Sequence, residues 1–265
     1  MDSTGLTRAR QWIKESDSII VTAGAGMSGL PDFRSNEGFW KAYSPLDKAG
    51  IAFTEIANGD AFVEDPVLSW GFYGHRLVLY REIVPHAGFA LLREAAAQKP
   101  KGLFIFTSNV DGQFQKAGID EDRIVECHGS IHHLQCSCDC AGAIWPADKV
   151  MPQVDMEHCR LSSLLPLCPY CGTVARPNIL MFNDYRWNES RTDDQYDRMR
   201  AWLDTVKRPV VIELGAGKVV PSVQRMGEGL GAPLVRIDPY EWHVNGKNRI
   251  GLPCGALEGL KRLLE

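Results

Sequence analysis

The chain has 265 residues, 45% hydrophobic and 23% charged, enough apolar material for one sizeable core or two modest ones. Its net charge of −4 argues against a general nucleic-acid binder, which would turn a basic face to phosphate. No apolar stretch is long enough to span a membrane and the first residues lack the apolar centre of an export signal. The expected compartment is therefore the cytoplasm, with the eight cysteines as metal ligands or free thiols rather than disulfides.

In chain order, the N-terminal stretch predicts a short helix with Leu6, Ala9, Trp12 and Ile13 on one face. Residues 18–26 read as a buried strand that runs out into Gly24-Ala25-Gly26. Residues 38–83 form an insertion rich in aromatics and expected to be helical, and residues 85–100 carry a helical pattern. A second strand lies within 102–112 and ends in Ser108-Asn109-Val110-Asp111; a short apolar stretch then leads to His128. Residues 131–180 hold six of the eight cysteines with little periodicity, the mark of a small metal-stapled module. A helix over 196–206 follows, then strands within 209–217, ending in Gly215-Ala216-Gly217, and 233–238.

Continuous apolar strands alternating with helices predict an α/β fold: a Rossmann-like parallel sheet with helices on both faces, plus the small zinc-binding module and the helical insertion. The expected division is a nucleotide-binding domain from 1–37, 84–130 and 181–265, with 38–83 and 131–180 forming the small domain. In such sheets ligands bind beyond the carboxyl ends of the strands, where the polar residues gather.

Gly24-Ala25-Gly26 would let backbone approach a pyrophosphate, although a purely structural strand-to-helix turn explains it as well. Asp32-Phe33-Arg34 adds an arginine suited to phosphate oxygens and an aromatic able to screen a reactive centre from water. Cys136, Cys138 and Cys140 lie close together, and Cys168 and Cys171 form a C-P-x-C-G knuckle. Two close thiolate pairs suit tetrahedral zinc in a structural site. Cys136, Cys140, Cys168 and Cys171 are the expected ligands, with Cys138 as a competitor and Cys159 as an outside candidate. His128, at a strand end before a glycine, suits a general base; the competing reading is a hydrogen-bonded structural histidine. His132 and His133 flank the cysteine module and read as spare ligands or surface residues, the surface reading being the favoured one.

Taken in order, these segments resemble the sirtuin family of NAD-dependent protein deacylases over nearly the whole chain. "GAGMSGLPDFRS" is similar to the cofactor-binding segment, "TSNVDGQFQKAG" to the segment around the nicotinamide ribose, and "HGS" to the histidine base. The cysteine pairs match the zinc module, "ARPNILMFND" the substrate-side loop, "ELGAGKVVPS" the second nucleotide and peptide loop, and "LVRID" the adenosine-ribose strand. The resemblance implies NAD as co-substrate, a structural zinc, and acyl-lysine proteins or peptides as partners, with no nucleic acid or membrane. In the implied chemistry the acyl oxygen attacks C1′ of the nicotinamide ribose and nicotinamide leaves. His128 then deprotonates a ribose hydroxyl, and the products are free lysine and O-acyl-ADP-ribose. Asn109 would position ribose or water and Asp111 would hold the nicotinamide carboxamide. Phe33 would shield the intermediate, and Arg34 would contact phosphate or ribose. Gly24, Ala25, Gly26, Asp32, Ser108, Gly215, Ala216, Gly217 and Asp238 would complete the cofactor site, and Met181 and Phe182 would face the substrate.

Tyr73 and Arg76 are three apart, one face of a helix, and a guanidinium with a phenol beside it suits a carboxylate. The pair resembles the Tyr-x-x-Arg of the sirtuin class that removes succinyl and malonyl groups; an apolar-acyl deacetylase is the competing reading.

The sequence departs from the family in places. Three residues are missing between Met27 and Gly29 relative to G-A-G-x-S-x-x-S-G-I-P-D-F-R, about 4.5 Å of rise if helical. Ser108 stands for a usual Gln, Asn183-Asp184 for Gly-Glu, Gly215-Ala216-Gly217 for Gly-Thr-Ser, and Asp238 for Asn. These changes keep two alternatives open: a weakly active or non-catalytic NAD or ADP-ribose-binding module, and an NAD hydrolase or ADP-ribosyltransferase.

Overall fold

A strand with every residue buried can sit only inside a layered fold. The apolar runs do so in the computed structural model, which describes residues 3–28, 36–217 and 221–265. Its strands, in chain order, are β1 (Ser18–Ala23), β2 (Leu103–Thr107), β3 (Ile124–Glu126), β4 (Gly129–Cys136), β5 (Ile144–Pro146) and β6 (Val154–Asp155). They continue with β7 (Arg160–Leu161), β8 (Ala175–Ile179), β9 (Pro209–Leu214), β10 (Leu234–Ile237) and β11 (Arg249–Leu252).

Six of these make one sheet in the order β11-β10-β9-β1-β2-β3, every neighbour parallel. The chain builds outward from β1 through β2 to β3, then returns to the other side of β1 with β9 and builds outward again. The direction of winding therefore reverses between β1 and β9, and that switch point is where doubly wound sheets bind nucleotides. The predicted α/β class holds. The apolar strands are covered on both faces: one core gathers Ile19, Val21, Ile105, Ile212 and Val235 with the helices Ser3–Glu15, Ala87–Ala97 and Ala256–Leu264. The other gathers Ile20, Phe104, Phe106, Val211 and Leu234 with Met199 and Trp202. The N-terminal helix buries Ala9 and Ile13, with Leu6 and Trp12 packed beside them.

The 38–83 region is helical as expected. It contains Ser44–Lys48, Phe53–Ile56, Ala61–Glu64 and the long helix Pro66–Glu82, which starts at Pro66 with Asp65 accepting from the Leu68 amide. It shares a third core with the cysteine-rich region, where Phe39, Phe62, Trp70 and Phe72 pack with Ile131, Leu134 and Ala175. In that region β5-β4-β8 form an antiparallel sheet. Among the described residues, no helix is long and apolar enough to cross a membrane.

Candidate functional site

The residues singled out in the sheet domain lie one to four positions beyond the carboxyl ends of parallel strands. Gly24 follows β1, Ser108, Asn109 and Asp111 follow β2, His128 follows β3, Gly215 follows β9 and Asp238 follows β10. Parallel strands all point the same way, so five separated segments converge on one edge of the sheet around the switch point. Asp32, Phe33 and Arg34 lie outside the described residues, and so does the shortened part of the segment from Gly29 onward.

The glycines also make a close contact that the sequence did not suggest. A Cβ on Gly24 would lie 2.6 Å from the Gly215 carbonyl oxygen, and one on Gly26 would lie 2.7 Å from the Gly215 Cα. Gly215 itself sits at φ +57, in the left-handed region that favours glycine. The Gly24 amide donates to Leu214 and the Gly26 amide to Gly215. The two loops are thus pressed backbone to backbone at the switch point, with Ala216 buried beneath them and Gly217 half-buried at the surface. Among the described residues the helix after Gly24 runs over Ala25–Ser28, and the Met27 amide folds back to the Gly24 carbonyl.

Asn109 Nδ2 donates to the Gly24 carbonyl at 3.0 Å and to Ser28 Oγ at 2.8 Å. Ser28 in turn donates to the Asp111 carboxylate, whose other oxygen accepts from the Gln113 amide at 3.0 Å. This chain of bonds ties the end of β1 to the end of β2. Asp111 is buried, and burial pushes its carboxyl above the usual range, opposed by Ser28, Gln113 and Arg76. His128 is half-buried in the turn between β3 and β4. Burial lowers its pKa, while a hydrogen bond to the Ser108 backbone works the other way. With one ring nitrogen so engaged, the neutral imidazole keeps the other as an acceptor. The Asp238 carboxylate accepts from the amides of Tyr240 and Glu241, both at 2.8 Å, and so shapes the turn after β10.

Three residues not expected to belong to the site complete the frame. Ser28 links Asn109 to Asp111, as above. His86 begins the helix Ala87–Ala97, taking the Gly88 amide on Nδ1 at 3.0 Å; Nε2 then carries the proton and donates to the Met27 carbonyl at 2.7 Å. Pro85 just before it is the only sequence signal, and it marks a helix start rather than a site. His132, read as a spare ligand or a surface residue, instead contacts the Asp111 carbonyl through Nε2 at 2.9 Å and lies where a Cβ on Gly112 would fall.

In the helical insertion, Tyr73 and Arg76 do share the helix Pro66–Glu82. Arg76 donates to the Tyr80 hydroxyl and stacks over the rings of Tyr80 at 5.0 Å and Phe72 at 5.3 Å. Burial pulls the guanidinium below its usual value, opposed by Tyr43, Tyr73 and Asp111. Burial likewise raises the Tyr73 phenol, opposed by Arg76 and Arg176. Met181 is buried; Phe182 is exposed, meets Phe53 edge-on at 5.9 Å, and bridges to Asn58. Asn183 takes φ +51, a left-handed conformation that asparagine tolerates better than most residues.

The thiols gather at one end of β4. Cys136 Sγ lies 3.3 Å from Cys138 and 3.6 Å from Cys171, Cys138 lies 3.9 Å from Cys171, and Cys140 lies 3.6 Å from Cys168. Zinc–sulfur bonds of about 2.3 Å at tetrahedral angles put sulfurs about 3.8 Å apart, so the donor set fits that metal. The four sulfurs that all lie within 4.8 Å of one another are those of Cys136, Cys138, Cys140 and Cys171. Cys138 is therefore inside the cluster, and Cys168 touches it through Cys140. The knuckle has the expected turn: Gly172 at φ +74 donates to the Cys168 carbonyl. Cys159 packs in the apolar core beside Gly71 instead.

Comparison with known proteins agrees with this geometry. The Sir2 family model matches residues 24–216. An NAD-dependent protein deacylase of Thermus thermophilus is 30% identical over 266 residues, covering 98% of this chain and 94% of that protein. One from Deinococcus radiodurans is 30% identical over 275 residues, covering 98% of each. A crystal structure of a Sir2 homologue in complex with NAD superposes with a TM-score of 0.71 at 22% identity, over 97% of this chain and 92% of that one, a likeness of fold. The family match spans both strand-end loops and the cysteine module between them, and this chain belongs to the Sir2 family, the sirtuins.

Proposed function

We propose that this sirtuin is an NAD-dependent protein deacylase that takes acyl groups bearing a carboxylate, such as succinyl and malonyl, from protein lysines. The related proteins named above carry the name NAD-dependent protein deacylase, and the strand-end residues fit that chemistry. NAD, when bound, supplies the C1′ that the acyl oxygen attacks and the nicotinamide that leaves.

His128 takes a proton from a ribose hydroxyl on its free ring nitrogen; its lowered pKa keeps it neutral for that task at neutral pH. Asn109 presents its amide oxygen to ribose or water, because Nδ2 is committed to Gly24 and Ser28. Asp111, buried and held by Ser28, receives the carboxamide. Gly24, Ala25, Gly26, Ser108, Gly215, Ala216, Gly217 and Asp238 frame the cofactor, and Asp32, Phe33 and Arg34 belong to the same segment. Met181 and Phe182 face the peptide. Four of the thiols clustered among Cys136, Cys138, Cys140, Cys168 and Cys171 would hold a structural zinc, and four thiolates would leave no position for substrate.

One observation carries the acyl preference: a half-buried guanidinium on the helix Pro66–Glu82, three residues on from Tyr73, bonded to the Tyr80 hydroxyl and lying over the Phe72 ring. A carboxylate placed there gains a charged partner in a site poor in water. The test is nicotinamide release from NAD with a succinyl-lysine peptide, an acetyl-lysine peptide and no peptide. Release that needs the succinyl peptide and is lost in His128→Ala is the expected result. Release without peptide would mean NAD hydrolysis or transfer, and NAD binding without release would mean a binding module.

A further inference from the structure

We infer that Arg176 and Asp184 form a positioning clasp that fixes the Met181–Phe182 loop and thereby sets the affinity for the acylated peptide; this rests on reading that loop as the substrate side. Arg176 lies on β8 opposite Gln135 of β4, next to Ala175, which pairs with Cys136. Asp184 lies just past the loop. Arg176 Nη1 donates to Asp184 Oδ2 at 2.7 Å and Nη2 to Oδ1 at 2.8 Å, and the two side chains are 1% and 0% exposed. The same carboxylate accepts from the Arg186 amide at 3.2 Å and the Met181 amide at 3.4 Å, closing the segment into a ring.

Three neighbours hang on this ring. A Cβ on Gly59 would lie 2.8 Å from Asp184 Oδ1, so the insertion packs directly on the acid. The Phe182 amide donates to the Ala57 carbonyl at 2.9 Å. The Leu180 amide donates to the carbonyl of His128, also at 2.9 Å. The loop is thus strung between the base-bearing turn and the helical insertion, with the ion pair as its fixed point. A buried ion pair stabilises a fold little better than apolar groups of the same volume. What its bidentate geometry does supply is a single loop conformation.

The test compares Asp184→Asn, Asp184→Glu and the double variant Arg176→Met/Asp184→Leu, with KM for peptide and for NAD measured separately beside the thermal midpoint. A loop displaced by about 1 Å is expected to raise the peptide KM about tenfold or more in Asp184→Asn and in the double variant. The KM for NAD should change far less. Asp184→Glu, which keeps the pair, should lie nearest the parent. The double variant leaves no charge buried alone, so it keeps its thermal midpoint even where Asp184→Asn folds poorly. A raised peptide KM at a restored midpoint supports the clasp, whereas a parental peptide KM in the double variant overturns it. Phe182→Ala separates the two ideas: if it raises peptide KM while the double variant does not, only the clasp falls. If neither changes peptide KM, the substrate-side reading falls with it.

Discussion

Gly26 and Gly215 touch backbone to backbone across the switch point of the sheet, so close that a methyl group on either would overlap the other's main chain. Gly26→Ala and Gly215→Ala are each expected to lose about 1–3 kcal/mol of stability through overpacking. Gly215→Ala carries the added strain of a positive φ, about 1 kcal/mol more. Thermal unfolding without ligand measures this; parental midpoints for both would mean the two loops do not meet as described.

His128 should leave its mark on the pH profile. Burial lowers its pKa, so the neutral base prevails through neutrality, and kcat/KM should fall on the acid side only below the ordinary histidine value of about 6.5. The unfolded chain takes up this proton before the folded one does. The His128 contribution to stability is therefore present above the unfolded pKa and lost as pH falls through the folded value. His128→Ala should lower turnover by about a hundredfold to ten-thousandfold. An acid limb at or above the ordinary value would contradict the buried, neutral base.

His133 offers a second titration. Burial, with Arg191 adding to it, holds its pKa down to about 4. Between about 6.5 and 4 the folded protein should lose roughly 1–3 kcal/mol relative to a His133→Gln variant as the unfolded chain is protonated first. Denaturant titrations across that range would reveal parallel curves for the two proteins if the imidazole were exposed instead.

Metal analysis should find one zinc per chain. Cys136→Ser and Cys171→Ser should lose it and loosen the β5-β4-β8 sheet, while Cys159→Ser should keep it, because that thiol packs in the apolar core. Of Cys138→Ser and Cys168→Ser, the protein that retains full zinc identifies the surplus thiol. Full zinc and a normal melt in the Cys171→Ser protein would remove the structural role.

Arg76→Leu should reduce the preference for succinyl over acetyl peptides about tenfold or more by removing the charged partner of the acyl carboxylate. An unchanged ratio of kcat/KM for the two peptides would show that the guanidinium serves Tyr80 and the core alone.

The sequence by itself determined the parallel sheet, because strands buried on both faces must be written as unbroken apolar runs, and β1, β2, β9 and β10 are. It also determined the Cys168–Cys171 knuckle and the placing of Tyr73 and Arg76 on one helix, since both depend only on local spacing. Periodicity fared less well where burial is polar. The helix predicted from Tyr196 begins at Ser190, because Thr192 and Gln195 bury their polar side chains against Glu126 and give no apolar signal. The C-terminal helix Ala256–Leu264 is not among the predicted elements, although Ala256, Leu260 and Leu263 mark its buried face. Only the tertiary structure decided that Gly24 and Gly26 seat Gly215, that Ser28 joins Asn109 to Asp111, and that Cys138 enters the thiol cluster. These are contacts between residues far apart in the chain or choices among equivalent neighbours. Local spacing fixes which groups are available, and packing fixes which of them meet.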